Sequence, residues 1–211
     1  MAGQSNETSP DGSEPPAPDA PGRGSNMGSN QGSNMGSAGS NMGSNMSGAC
    51  AQAASGVIGT WDMSSASGSQ TSTSGTSKPG ATAGSLTRSS DLGSVTGSGS
   101  INADGWPSSG TLDTTKGYYT FTITPPSGCT VSITSASITT SASGTGPVKI
   151  AIATSADQFG HTSSLTASTT PSLTVSAATG TVELRVFGYD ASSLNGTMRI
   201  SGQLTLTGSF Q

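Results

Sequence analysis

Over residues 197–207 the chain reads T-M-R-I-S-G-Q-L-T-L-T, with Met198, Ile200, Leu204 and Leu206 on even positions and Arg199, Ser201, Gln203 and Thr205 on odd ones. Side chains alternate across a strand with a period of two, so this segment is a long strand with one apolar face and one hydrated face. The same period recurs upstream. It predicts inward sets of Tyr119, Phe121 and Ile123, of Val148, Ile150 and Ile152, and of Val182, Leu184 and Val186. Strands are predicted near 57–62, 85–88, 118–124, 129–140, 148–154, 172–176, 181–189 and 197–207. Turn chemistry separates them. Pro125-Pro126-Ser127-Gly128 is read as a hairpin connection, Ser143-Gly144-Thr145-Gly146-Pro147 divides the next pair, and Asn195-Gly196 is a tight-turn signal before the last strand. Eight strands with no helical period between them predict an all-β protein, an antiparallel two-sheet sandwich of jelly-roll type. In such folds the terminal strands often pair, so the Gly59-Thr60-Trp61-Asp62 strand is expected beside the last one.

Only 30% of the 211 residues are hydrophobic and 9% are charged, so a core forms only if the apolar residues are concentrated. They lie almost wholly from Val57 onward. The expected organisation is therefore a β-sandwich domain over 57–211, preceded by a disordered tail over 1–56. That tail has two parts. Residues 1–23 are acidic and rich in Pro and Ser, and residues 24–46 repeat Gly-Ser-Asn-Met with small variations. Neither part has apolar area to offset the entropy of ordering, and both read as flexible linker. The regular Met27, Met35, Met42 and Met46 suit a soft metal such as Cu(I), but ligand type alone does not define a site. The simpler reading is an unconstrained repeat, and no metal or cofactor is expected.

Glu7, Asp11, Glu14 and Asp19 against Arg23 make the tail acidic, while the remainder carries seven acids and six bases. A net charge of −4 leaves no basic stripe for phosphates, and nucleic acid is not an expected partner. No apolar run reaches the length of a transmembrane span or signal peptide. The N-terminal stretch resembles the tether of a bacterial lipoprotein, without the lipidated cysteine at its head. An export signal or lipid anchor upstream of Met1 is the expectation.

Cys50 and Cys129 are too few for a zinc site and too far apart for a C-x-x-C motif. In an oxidising compartment they would pair and tie the end of the linker to the fold. The alternative is that Cys129 packs inward as a small hydrophobe beside Val131 and Ile133.

Catalytic residue types are sparse. His161, the only histidine, follows Gly160 in a polar loop and reads as a solvated residue, because a general base needs a positioned nucleophile and orienter. Glu183 and Arg185 lie two apart on one strand and read as an exposed ion pair. No catalytic residue is assigned, and a secreted hydrolase is the least favoured reading. Binding has somewhat more behind it, since sugar rings stack on flat aromatic faces while hydroxyls need directed polar partners. The candidates outside the predicted core are Trp106 in a loop, Tyr118 on the outward parity of its strand, and Tyr189 with Asp190 before Asn195. For each, a rim aromatic that only caps the core is the competing reading. Asp91, Asp104 and Asp113 lack the D-x-D-x-D-G spacing of a calcium loop.

The order of several segments carries a resemblance. W-D-M-S-S-A-S-G-S-Q-T-S-T from Trp61, S-L-T-R-S-S-D-L from Ser85, Gly105-Trp106, Y-Y-T-F-T-I-T-P from Tyr118, S-G-T-G-P from Ser143, T-S-A-D-Q-F from Thr154, V-F-G-Y-D-A-S-S-L-N-G-T-M-R-I from Val186 and the closing T-L-T-G are similar to a β-sandwich module of secreted and surface proteins of planctomycetes, verrucomicrobia and myxobacteria. The resemblance spans most of 57–211 and implies a sandwich at the bacterial cell surface, without naming a ligand; no sorting tail is visible before Gln211. The expected function is a non-catalytic extracellular or cell-surface module with a structural or adhesive role on a flexible tether. A carbohydrate-binding module is the alternative, and extracellular glycans or other surface proteins are the expected partners.

Overall fold

The computed structural model describes Cys50 and residues 55–166 and 168–211, and the predicted tail otherwise lies outside the described residues. Nine strands carry the architecture: β1 (Gly56–Asp62), β2 (Ser100–Asp104), β3 (Tyr118–Thr124), β4 (Thr130–Ala142), β5 (Pro147–Thr154), β6 (Ser163–Leu165), β7 (Ser172–Thr179), β8 (Val182–Ala191) and β9 (Met198–Phe210). They form two packed sheets. The first runs β7–β4–β9–β1 and the second β6–β5–β8–β3. From β3 onward every connection except β5–β6 carries the chain from one sheet to the other, which is the winding of a jelly roll.

The strand from which the pattern was first read is the centre of its sheet. β9 pairs β4 along most of its length, from Val131↔Phe210 to Ala142↔Met198. On its other flank β1 takes one half, with Thr60↔Thr205 and Trp61↔Leu204, and β2 takes the other, with Ile101↔Ile200. The terminal strands do pair. The period-two sets of β3, β8 and β9 are buried as predicted, whereas that of β5 is not: Val148 is 75% exposed. It lies opposite Asp190, whose left-handed backbone (φ 64°) interrupts regular pairing at the end of the strand. Burial on β5 falls instead on four consecutive residues, Ala151 to Thr154, because the outer face of this sheet is also covered there.

Turn chemistry is local and does not say which sheet the next strand joins. Pro125-Pro126-Ser127-Gly128 is therefore not a hairpin: β3 and β4 belong to different sheets, and the prolines carry the chain over the end of the sandwich. Asn195-Gly196 closes a turn in which Gly196 N–H donates to the Ser193 carbonyl, and this too is a crossover, from β8 to β9.

Between β1 and β3 a long insertion passes back and forth across one edge of the sandwich. Its Gly75–Ser77 segment extends the first sheet beside β1, while Ser72–Thr73 and Leu86–Arg88 extend the second beside β3. Arg88 plugs this edge. Its Nε donates to the Asn102 carbonyl at 2.8 Å, Nη1 to Gln70 O at 2.7 Å, and Nη2 to Gly68 O. Gly68 has φ +91°, and a Cβ there would sit 2.2 Å from the Gly97 nitrogen, so no larger residue fits this crossing. At the opposite edge, between β6 and β7, no comparable arginine is found among the described residues.

Cys50 and Cys129 form a disulfide with a Cα–Cα separation of 5.6 Å. It lies at the pole where β1 begins and β9 ends, since Gly56 pairs Gly208 and Thr130 exchanges backbone hydrogen bonds with Gln211.

Candidate functional site

The four residues proposed as a ligand face do not all meet. Trp106 is fully buried, which removes it as a stacking platform. It follows Gly105, a left-handed residue (φ +82°) that turns the chain inward off β2, and its indole Nε1 donates to the Ala103 carbonyl at 2.9 Å. Its ring lies 5.4 Å from that of Tyr119. The room is made by Gly188 on the inner face of β8, where a Cβ would come within 2.7 Å of Trp106. An isolated glycine inside a strand marks close approach of another group, and Gly188 is the sequence signal that would have placed Trp106 in the core.

Tyr118, Tyr189 and Asp190 do come to one surface, the outer face of the second sheet near the pole opposite the disulfide. Tyr118 pairs Phe187 across β3 and β8, and Tyr189 follows two residues later on the same face. None of the three is freely exposed. Arg185 lies 4.2 Å from the Tyr118 ring and 4.2 Å from that of Phe159, a cation between two aromatic faces. Its Nε bonds Glu183 at 2.7 Å and its Nη1 donates to Thr114 O. The Glu183–Arg185 pair is thus half-buried rather than exposed, because the Phe159 loop and Thr114 cover it. Burial opposes ionisation of Glu183, but hydrogen bonds from Arg185 and Thr120 outweigh it and hold the carboxyl below its ordinary value. Lys149 bonds Asp190 at 3.1 Å and stands over Tyr189. This face is a set of aromatics paired with cations, with Tyr189 and Asp190 at its rim.

His161 is in the loop where it was expected, with its side chain 93% exposed, yet it has an orienting partner. Its Nδ1 and its backbone N–H both lie on Asp157 Oδ2, at 2.7 and 2.9 Å. Asp157 was not foreseen, although the D-Q-F-G-H spacing places it four residues before His161. Gln158 and Phe159 between them both adopt left-handed backbone, with φ of 58° and 61°. That turn sends Phe159 onto Arg185 and leaves Asp157 and His161 lining a cleft of about 470 Å³ at the open edge of the sandwich.

Of the three aspartates, Asp104 ends β2, and Asp91 and Asp113 have structural partners. Asp113 accepts from the Thr115 hydroxyl and N–H and from Lys116, bonds that hold it near a pKa of about 2. Asp91 accepts from Gly117 N–H. Among the described residues no cluster of three or more His, Cys, Asp or Glu side chains is placed to hold a metal, and no helix is long and apolar enough to cross a membrane. Comparisons with protein-family models, curated proteins and solved structures return no match to this chain.

Proposed function

We propose that this domain is a non-catalytic module of the bacterial cell surface or extracellular space, with a structural or adhesive role, held at one pole by the low-complexity segment ahead of Cys50. The observation that carries this reading is the Cys50–Cys129 disulfide. It fixes Cys50 at the same pole that holds the start of β1 and the end of β9. Structural disulfides persist in oxidising compartments, which fits an exported domain, as does the resemblance to surface-protein modules. Protease treatment of intact cells of the source bacterium tests it. Loss of the domain from whole cells, with the disulfide intact by mass spectrometry, is expected; a reduced protein confined to the cytosolic fraction overturns the proposal.

A carbohydrate-binding role is the second reading, favoured by the placement of Tyr118, Tyr189 and Asp190 on one face near the pole opposite the Cys50–Cys129 disulfide. A glycan array on the wild type and on Tyr189→Ala separates the two. Binding that disappears in the variant supports the second reading, and its absence on every glycan leaves the first.

A further inference from the structure

The two edges of the sandwich differ in how their acceptors are satisfied. At the strapped edge, three backbone carbonyls point at one place and Arg88 supplies the cation that bonds all of them. At the open edge the acceptors gather without one among the described residues. Asp157 Oδ2 accepts twice from His161, while Asp157 Oδ1, shielded from solvent, accepts from no described group. When Asp157 is ionised it only accepts, so the 2.7 Å contact needs the proton on His161 Nδ1, and the neutral tautomer with that proton leaves a lone pair on Nε2. Ser163 Oγ on the same wall donates to the Ser172 carbonyl and so keeps its own lone pairs. Among the described residues no lysine or arginine lines the cleft, and Leu173 and Ala153 are the aliphatic side chains in its wall.

From this we infer that the cleft between β6 and β7 is a binding site for an organic cation rich in N–H donors, a primary ammonium or guanidinium on a short aliphatic stem. The head group sits at Asp157 and His161 and the stem lies along Leu173. Three considerations agree. The volume falls within the range of small-ligand sites, about 300–1,000 Å³. A shielded carboxylate oxygen without a donor is costly, and a charge-assisted N–H bond is the strongest way to satisfy it. The terminal carboxylate torsion is broad, so a bound donor can draw Oδ1 toward the cleft at the expense of part of the Oδ2 bonding to His161. The left-handed Gln158 and Phe159, an unfavourable conformation held by the Phe159–Arg185 stack, keep Asp157 and His161 turned toward the cleft.

The test is NMR titration of the full chain with three probes of similar shape: n-butylammonium, n-pentanol and n-butyrate. N-acetyl-lysine methylamide, as a fourth, separates a free amine from a lysine presented by a peptide. Expected are saturable shifts of the amides of residues 157–163 and 172–174 with n-butylammonium, with a Kd on the order of millimolar for so small a ligand. Tighter binding of the lysine derivative assigns the site to a protein partner, and equal or weaker binding assigns it to small amines. Asp157→Asn should weaken binding at least tenfold and the exposed His161→Ala several-fold. An unshifted Trp106 indole N–H resonance shows that each variant is folded. Equal binding of pentanol, unchanged binding by Asp157→Asn, or no saturable shift with either ammonium probe overturns the inference.

Discussion

The strapped and open edges are built on the same two sheets, yet one is filled from within and the other is not. At the strapped edge the insertion brings Gly84, whose carbonyl accepts from the Trp61 indole of β1 at 2.6 Å, and Arg88, which bonds three backbone carbonyls. Burial of Arg88 works against its charge and lowers its pKa, but a guanidinium stays ionised throughout the physiological range. At the open edge no equivalent cation stands among the described residues, and a carboxylate lies in the wall. The difference teaches that closing a sandwich edge takes donors as well as apolar cover, because each edge gathers carbonyls and side-chain oxygens that the ladders do not use.

Substitutions at the two edges put that contrast to the test. Arg88→Met, which keeps bulk and removes every donor, is expected to cost about 3 kcal/mol in urea unfolding, because it orphans several acceptors at once. A loss under about 1 kcal/mol would show that water satisfies them and that the edges are alike. Leu173→Ala at the open edge should cost about 2 kcal/mol, the low end for an aliphatic truncation, since its site is already partly open. Trp61→Phe keeps most of the packing against Phe121 and loses the bond to Gly84, for about 1 kcal/mol. Asp157→Asn should change stability by less than about 0.5 kcal/mol, since the carboxylate it replaces has one unmatched oxygen; a large loss would make Asp157 a structural residue like Arg88.

The smallest expected effect is a pH dependence at Asp62 beside the strap. Its Oδ1 accepts from the Ser64 backbone N–H, and that bond lowers its pKa from the ordinary aspartate value. A group whose folded pKa is lowered stabilises the fold above its unfolded value, about 3.9, and loses that contribution as pH falls through the folded value. Asp62→Asn should therefore flatten the acid limb of a Tm-versus-pH curve slightly and leave Tm near neutrality almost unchanged.

Strand positions were legible in the sequence because a half-buried strand writes its period directly. β3 matches its predicted span, and the inward sets of β3, β8 and β9 were readable from parity. Connectivity between sheets was not, since Pro125 to Gly128 has the same chemistry whether it closes a hairpin or an arch. β2 went unseen because its outward residues are polar yet buried: Ser100 donates to Gly97 O and Asn102 to Thr96 O, so the insertion covers them. Trp106 was misplaced as a consequence, since a loop after an unseen strand looks exposed. The cleft was legible only in part. His161 was noticed, but its partner Asp157 emerges only once the left-handed pair at 158 and 159 folds the loop back.

The disulfide also decides the route that tension takes through the molecule. A pull arriving from residues ahead of Cys50 passes through sulfur into Cys129 at the foot of β4, a strand bonded to β9 on one side and β7 on the other. Strand β1, which would otherwise take the load and unzip from β9 one bond at a time, is spared. While the bridge holds, the 79-residue span it closes cannot lengthen. At roughly 3.5 Å per residue, that withholds about 280 Å of extension until a reductant arrives.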